Sequence, residues 1–257
     1  DYRGTLHNAA ISCSIRNIAF SGPGKASNVV GLWFNNCVGS LFEHLLIKDF
    51  KYGMQIDSHY YNCKMVDIRF AYCNYGLRTL SMGNGVALNY CSFFVCDVGY
   101  GQSLNWYADT NIHLNYCYFQ GNQTAIESSI GGVLDINQCY FEDNRCIVDI
   151  HKTSSYVKSP ILILRNSFIN ISLSNPPSSL IKQDLPSDCI LTFVFNNNAL
   201  GNKDIVTYYD YFVEVISGDI VIKAENNKLS DPSKNFPICS KTPLKTSYFN
   251  NDFSDTD

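Results

Sequence analysis

The chain has 257 residues, 46% of them hydrophobic, and a formal net charge of −4 at pH 7. It can bury a sizeable core, while its mixed charge excludes the basic stripe of a nucleic-acid-binding protein and the charge blocks of a disordered tail. No uncharged apolar run approaches the roughly 18 residues that a membrane span requires. The sequence begins at Asp1 without a Met or an apolar leader, which predicts an excised or mature piece of a longer polypeptide.

Large apolar residues recur along the chain, and each follows a short run that alternates apolar and polar residues. These markers are Phe20, Phe50, Phe70, Phe93, Phe119, Phe141, Phe168, Leu200 and Leu229. The alternation has the period of a β-strand, and the runs lie too close together for intervening helices. In the stretch 110–150, aligning Phe119 with Phe141 also aligns Cys117 with Cys139. A repeat of about 22 residues indicates stacked coils.

A column of cysteine and asparagine precedes the markers by two residues, at a position that the repeat places inside each coil. It comprises Cys91, Cys117, Cys139, Asn166, Asn198 and Asn227. We expect the stacked amides to hydrogen-bond from coil to coil. The eleven cysteines are expected to be buried packing residues with free thiols, which implies folding in a reducing compartment. No C-x-x-C motif occurs, and we expect neither a metal site nor a cofactor.

After each marker the chain turns and forms a second strand, as in 53–57, 76–80, 125–129 and 147–151. Irregular insertions follow this strand at 103–111, 152–159 and 173–179. Loops on one edge of a solenoid often carry binding and catalysis. We expect residues 1–235 to form one coiled domain and residues 236–257 to form a C-terminal cap or exit segment.

The coil pattern Ile-x-Ile/Leu-x-Asn-x-Cys/Asn-x-Phe-x-x-Asn/Cys-x-x-Gly-Ile, over residues 10–230, resembles the right-handed parallel β-helix family of pectate lyases, polygalacturonases and bacteriophage tailspikes. The resemblance implies an all-β fold, a single-stranded parallel β-helix of about nine coils. It leaves the reaction open, because this fold carries hydrolases, lyases and binding proteins. The calcium aspartates of pectate lyases and the Asn-Thr-Asp and Gly-Asp-Asp signatures of polygalacturonases are absent.

Within that family, the cysteines and the aromatic-rich coils are most similar to a phage tailspike or tail-fibre depolymerase. This resemblance implies a bacterial cell-surface polysaccharide as the partner and a homotrimer as the assembly. It also implies a location in the virion tail, after folding in the host cytoplasm, with action at the bacterial surface. The aromatic side chains of Phe94, Tyr118 and Tyr140 on the outer sheets are consistent with packing against other copies.

Strand alternation predicts which side chains of the second strand face outward. One outward row comprises Trp33, Gln55, Arg78, Gly101, Glu127 and Asp149, and a parallel row two residues further on comprises Asp57, Leu80, Ser103, Ser129 and His151. Glu127 and Asp149 are then neighbours on adjacent coils, with backbones about 4.8 Å apart. Two carboxyls this close disfavour joint ionisation, and glycoside hydrolysis uses one protonated and one ionised carboxyl. Alternatively, both are ordinary solvated groups.

The remaining candidates are substrate-binding residues. Trp33, Trp106 and Tyr107 offer flat faces that suit sugar rings, or else pack against loops or a neighbouring subunit. Arg78 binds an acidic sugar or pairs with Glu127 or Asp57 as part of the ladder.

Gln55 and Asp57 are expected to contact a distal sugar, and His151 to orient Asp149. The main hypothesis is an endo-glycosidase that acts on capsule or O-antigen. The alternatives are a non-catalytic receptor-binding or structural β-helix of a virion or adhesin, and a polysaccharide lyase with Arg78 and His151 or Tyr107 at its centre.

Overall fold

The protein is seen in a computed structural model. It describes residues 10–57, 60–80, 83–102, 111–129, 132–151, 160–170, 179–201, 211–227, 238–240 and 246–250. These residues form strands and turns, with no helix among them. The strands are β1 (Ala10–Ile11), β2 (Ser14–Ser21), β3 (Val30–Phe34), β4 (Cys37–Val38), β5 (Leu41–Lys48), β6 (Tyr52–Ile56), β7 (Tyr60–Tyr61), β8 (Lys64–Ala71), β9 (Tyr75–Thr79), β10 (Gly83–Asn89), β11 (Ser92–Phe94), β12 (Val98–Gln102), β13 (Asn111–Asn115), β14 (Tyr118–Gln120), β15 (Thr124–Ser128), β16 (Val133–Asn137), β17 (Tyr140–Glu142), β18 (Cys146–Ile150), β19 (Ile161–Arg165), β20 (Phe168–Asn170), β21 (Ser179–Asp184), β22 (Ile190–Asn196), β23 (Ala199–Gly201), β24 (Tyr211–Ser217), β25 (Asp219–Glu225), β26 (Ile238–Ser240) and β27 (Thr246–Asn250).

The strands stack in parallel, coil on coil, so the chain is an all-β parallel solenoid, as predicted. A larger sheet has 18 strands, and a smaller sheet has nine in the order β26-β24-β21-β18-β15-β12-β9-β6-β3. The solenoid has about six turns rather than the predicted nine. In the predicted tail, β26 and β27 pair with β24 and β25.

The strand register shows that two predicted markers do not occupy the marker position. Ile47 rather than Phe50 pairs with the neighbouring markers. Further along, Ile169 rather than Phe168 does so. Phe168 is 38% exposed and lies on the outer face, whereas Ile169 is fully buried. In both coils an isoleucine fills the core position and a phenylalanine lies nearby in the sequence. The prediction took the aromatic residue as the marker, and that choice was wrong. Leu229 lies outside the described residues.

Stacked aromatic rings form the centre of the core. Phe70, Phe93, Phe119 and Phe141 are buried, and their ring centroids are 5.0, 4.7 and 5.1 Å apart along the stack. The rings are within 12° of parallel. Because each coil presents the same ring to the next, one repeated residue supplies both large apolar burial and ring-to-ring contact. This explains why the repeat is clearest in this part of the sequence.

Buried asparagines link successive coils, as predicted for Asn198 and Asn227, and Asn122 and Asn144 do the same outside the predicted column. The Oδ1 of Asn122 accepts from the Cys96 N–H at 2.9 Å. Its Nδ2 donates to the Phe93 carbonyl at 3.0 Å and to Asn144 Oδ1 at 2.8 Å. A second pair, Asn198 and Asn227, repeats this arrangement further along the solenoid. Each amide satisfies backbone groups at a corner where no strand partner is available.

Asn166 does not belong to the inward column. It has a φ of 51°, and its exposed amide donates to Asn137 at the surface. The next residue, Ser167, takes the inward position, where its hydroxyl accepts from the Cys139 N–H at 3.1 Å. The Ser167 N–H donates in turn to Asn198 Oδ1 at 2.9 Å. The error follows from the misassigned Phe168, since the column was counted back from that marker.

The cysteines are packing residues, as predicted. All ten whose side chains the structure describes are free, and nine of them are buried. Cys91, Cys117 and Cys139 lie in one column, where burial and the neighbouring thiols raise the pKa of Cys117 well above its usual value. Raised pKa values keep such thiols protonated and unreactive.

A corner before the smaller sheet requires left-handed backbone in successive coils. The residues at this corner are Asp49, Tyr72, Val95, Gly121 and Asp143, with φ between 52° and 66°. Val95 is the only β-branched residue among them, and a β-branched side chain is strained in this conformation.

We expect Val95→Asn to raise the free energy of unfolding by about 1 kcal/mol, because asparagine tolerates left-handed backbone. Urea unfolding monitored by circular dichroism measures the change. The matched control is Gly121→Ala at the same corner of the next coil, which should destabilise the protein because its φ is 66°. A Val95→Asn variant less stable than the wild type would contradict the assignment of strain.

Candidate functional site

The smaller sheet brings the predicted outer row into register. The paired positions are Trp33, Gln55, Arg78, Gly101, Glu127 and Asp149. The row continues through Lys182 on β21 and Glu214 on β24, which sequence reasoning missed. No strand was predicted at Ser179–Asp184 or at Tyr211–Ser217, so neither residue was placed in the row.

Glu127 and Asp149 are direct partners on adjacent strands. The Nε2 of His151 lies 3.6 Å from Glu127 Oε1 and 3.7 Å from Asp149 Oδ2. The side chains of Glu127 and Asp149 are only 18% and 22% exposed, so neither carboxyl is an ordinary solvated group. His151 therefore lies within reach of both carboxyls, whereas the sequence predicted that it would orient Asp149 alone.

Both carboxyls have a raised pKa, and burial is the largest cause for each. His151 opposes the shift in both cases. The charge of Asp149 raises the pKa of Glu127 further, while the Tyr75 hydroxyl and Arg78 lower it. Lys182 lowers the pKa of Asp149. Burial that raises carboxyl pKa values in a cleft of mixed charge is typical of functional sites, although structural networks also produce it.

Tyr75 completes the environment of Glu127 from two coils away. Its hydroxyl donates to Glu127 Oε2 at 3.1 Å. The ring passes over Gly101 on the coil between them, where an added Cβ would lie 2.5 Å from two ring carbons. Gly101 thus makes room for Tyr75. Burial and the Glu127 carboxylate raise the pKa of Tyr75 to about 12, so the phenol remains a donor.

Arg78 packs against aromatic rings instead of pairing with an acid. Its guanidinium lies 4.4 Å from the centroid of the Tyr52 ring and 5.6 Å from that of Tyr75. One terminal nitrogen donates to Gln55 Oε1 at 3.5 Å. Among the described residues Arg78 forms no ion pair with Glu127, and its buried Nε has no hydrogen-bond partner. Stacking holds the guanidinium in place and leaves hydrogen-bonding capacity unused.

Trp33 presents an aromatic face at one end of the row. It is 67% exposed. Its indole Nε1 donates to Asp57 Oδ2 at 2.5 Å. The other oxygen of Asp57 accepts from Gln55 Nε2 at 2.5 Å. Asp57 therefore fixes the indole, and the buried Gln55 links Asp57 to Arg78. The predicted rim residues Trp106 and Tyr107 lie outside the described residues.

Within the described part of the chain, no group of three or more His, Cys, Asp or Glu side chains is arranged to hold a metal ion. Nor does that part contain a helix long and apolar enough to cross a membrane. Comparison of the chain with protein-family models, curated proteins and solved structures gave no match. The fold and the site thus define the class: an all-β parallel solenoid with a half-buried acid pair, a histidine and an exposed indole along one sheet.

The two raised carboxyl pKa values predict how stability depends on pH. A carboxyl whose pKa is higher in the folded state opposes folding when it is ionised, and this opposition disappears as the pH falls through the folded-state pKa. We therefore expect the Glu127→Gln/Asp149→Asn double variant to be more stable than the wild type at pH 7, by on the order of 1 kcal/mol. The difference should shrink toward pH 4.

Urea unfolding of both proteins at pH 4, 5.5 and 7 measures this trend. Glu225→Gln is the matched control, because it removes one charge at an exposed position of β25. A double variant that is less stable than the wild type at pH 7 would show that the acid pair contributes favourably to folding.

Proposed function

We propose that the row from Trp33 to Asp149 is a glycan-binding groove, and that the protein is an endo-glycosidase acting on a bacterial surface polysaccharide. The observation that carries the proposal is the paired placement of Glu127 and Asp149, both partly shielded from solvent and both with raised pKa values. Glycoside hydrolysis needs two carboxyls in different protonation states on either side of the scissile bond. A role in a phage tail, as in tailspike and tail-fibre depolymerases, fits this activity.

In this mechanism Glu127 is the general acid and Asp149 is the ionised partner. The negative charge of Asp149 raises the pKa of Glu127, which favours a proton on Glu127. Lys182, the neighbour of Asp149 in the row, favours the ionised form of Asp149. Asp149 attacks the anomeric carbon as the bond from that carbon to the glycosidic oxygen breaks, and the departing oxygen takes the proton of Glu127. Glu127, now ionised, then deprotonates a water molecule that hydrolyses the glycosyl ester and frees Asp149. Backbones one ladder step apart, about 4.8 Å, favour the shorter carboxyl separation that accompanies retention of configuration.

The length of the groove supports an endo-acting enzyme. Trp33 and Glu127 are four ladder steps apart in the row, which corresponds to roughly 19 Å along the solenoid axis. A ligand that stacks on the indole and also reaches the acid pair must therefore be an oligosaccharide of several units. Arg78 lies between these two points, where its unused donors suit a hydroxyl or a carboxylate of the chain.

A non-catalytic glycan-binding solenoid is the second candidate. The position of His151 favours it, because its Nε2 lies 3.6 Å from Glu127 and 3.7 Å from Asp149 and links the two side chains in one polar network. Incubation with a panel of capsule and O-antigen preparations separates the candidates. Chain shortening with new reducing ends indicates hydrolysis, absorbance of an unsaturated uronate indicates a lyase, and binding without shortening indicates a receptor-binding protein.

Trimerisation stays a prediction. The aromatic side chains that suggested it form a ladder within the chain itself: Tyr118 lies 5.3 Å from Phe94 and 5.2 Å from Tyr140, between ring centroids. All three are partly exposed, so this face remains available for contact between copies. Light scattering measures the assembly, and a monomer would count against the tailspike organisation.

A further inference from the structure

A second pocket lies on the larger sheet, on the other side of the left-handed corner from the acid pair. Its volume is about 520 Å³. The side chains that matter in its wall are Lys48, Arg69, Tyr72, Phe94, Gln120 and Asp143. They come from five successive coils, because Lys48, Ala71, Phe94 and Gln120 are register partners and Tyr72 and Asp143 occupy the adjoining corner. The pocket is therefore an elongated groove along the solenoid axis.

Positive charge is concentrated at one end of this pocket. The Arg69 guanidinium lies 5.4 Å from the centroid of the Phe94 ring, and within the described residues it forms no salt bridge. Lys48 contacts one acid there, its chain neighbour Asp49, at 3.6 Å. Two cations and one acid leave one positive charge in excess at this end, which favours an anionic ligand. A guanidinium held on a ring presents its donors in the fork geometry that matches a carboxylate.

The middle and the far end of the pocket have a different chemistry. Phe94 and Tyr72 offer aromatic surface in the middle, and Tyr72 is held outward, 53% exposed, by its left-handed backbone. Gln120 and Asp143 supply hydrogen-bonding groups one and two coils beyond Phe94. Carboxylate binding, an apolar face and hydroxyl-binding groups thus occur in sequence along one groove.

We propose that this pocket binds an acidic sugar, a hexuronate residue within a polysaccharide chain. The hexuronate carboxylate binds Arg69 and Lys48, one face of the sugar ring packs on the exposed Tyr72, and its hydroxyls bind Gln120 and Asp143. The site is separate from the acid pair, which lies on the smaller sheet, so the proposal does not depend on whether Glu127 and Asp149 cleave glycans. Its role is to hold an acidic polysaccharide at a position remote from the first groove.

The test uses a hexuronate oligosaccharide and the same oligosaccharide with its carboxyls reduced to alcohols, titrated calorimetrically into the full chain. The background is Glu127→Gln/Asp149→Asn, so that no cleavage occurs. We expect Arg69→Gln and Lys48→Gln each to weaken hexuronate binding about tenfold, the effect of losing one charge-assisted contact. Lys64→Gln, a lysine on the same strand as Arg69 but outside the pocket, should leave the affinity unchanged.

Two further outcomes decide the assignment. The oligosaccharide whose carboxyls have been reduced should bind weakly, and Arg69→Gln should not change that weak affinity. This result supports recognition of the carboxylate by the pocket. Trp33→Ala should leave the Arg69-dependent part of the affinity intact, because Trp33 belongs to the other groove. The proposal is overturned if the wild type does not bind the hexuronate oligosaccharide, or if Arg69→Gln and Lys48→Gln weaken binding no more than Lys64→Gln.

Discussion

Glu127→Gln and Asp149→Asn are each expected to lower the rate of reducing-end release by about 10³-fold, because general acid–base and nucleophilic groups contribute on this scale. The amide variants keep the shape of the side chains, so substrate binding should change little. The double variant should be no slower than the slower single variant, since the two carboxyls act on the same bond and their effects do not add. Reducing-sugar release from the polysaccharide identified in the panel measures the rates.

The matched control for this experiment is Asp57→Asn. Asp57 is also a carboxyl in the groove, but both of its oxygens accept hydrogen bonds, from Trp33 and Gln55. We expect this variant to bind the polysaccharide more weakly, because the indole loses its anchor, while bound substrate still turns over. Thermal unfolding shows whether each variant is folded. Wild-type rates in both Glu127→Gln and Asp149→Asn would end the assignment of the acid pair as catalytic.

The pH dependence of the rate also tests the roles of Glu127 as the general acid and Asp149 as the ionised partner. A general acid must hold its proton, so the rate should fall as the pH rises through the pKa of Glu127, which is above the usual value for glutamate. Asp149 must be ionised, so the rate should also fall at acid pH. In Asp149→Asn, the residual activity should no longer fall at acid pH, because the carboxyl whose protonation causes that fall has been removed.

The row of outward residues was predictable because a parallel solenoid converts sequence spacing into spatial alignment. Once Phe119 is aligned with Phe141, strand alternation places Glu127 beside Asp149, and the structure pairs them in register. The same logic failed at Phe168, where an exposed aromatic residue precedes the buried Ile169. A shift of one residue moves a side chain to the opposite face of its strand. Counting back from Phe168 therefore placed Asn166 in the inward column, where the structure has Ser167.

Other features of the site depend on side-chain direction, which spacing does not specify. Tyr75 reaches Glu127 across an intervening coil, and it does so because Gly101 leaves the space that its ring fills. No pairwise alignment of adjacent coils contains that contact. In the described part of the chain, the ladder pairing of Arg78 with Glu127 or Asp57 does not occur, and its guanidinium packs instead on Tyr52, which precedes it by one coil. A planar cation can satisfy itself on an aromatic face as well as on a carboxylate.

A second buried column, which contains Cys96, Asn122 and Asn144, makes the strongest prediction about stability. Asn122 is 1% exposed, and its amide joins three coils through Cys96, Phe93 and Asn144. In Asn122→Ala, the Cys96 N–H and the Phe93 carbonyl lose their partner in a place that water does not reach. An unsatisfied buried polar group costs about 1–3 kcal/mol, so we expect the free energy of unfolding to fall by about 4 kcal/mol once the cavity is included.

Asn115→Ala is the matched control, because Asn115 also pairs with an asparagine of the preceding coil, Asn89, but lies on the outer face. Water can replace its single amide bond, so we expect a loss below about 1 kcal/mol. Urea unfolding of both variants gives the comparison. Equal losses at the two positions would mean that stacking of identical side chains, rather than satisfaction of buried backbone groups, stabilises the corner. A larger loss at Asn122 would instead explain why this column admits only side chains that are small or that can hydrogen-bond between coils.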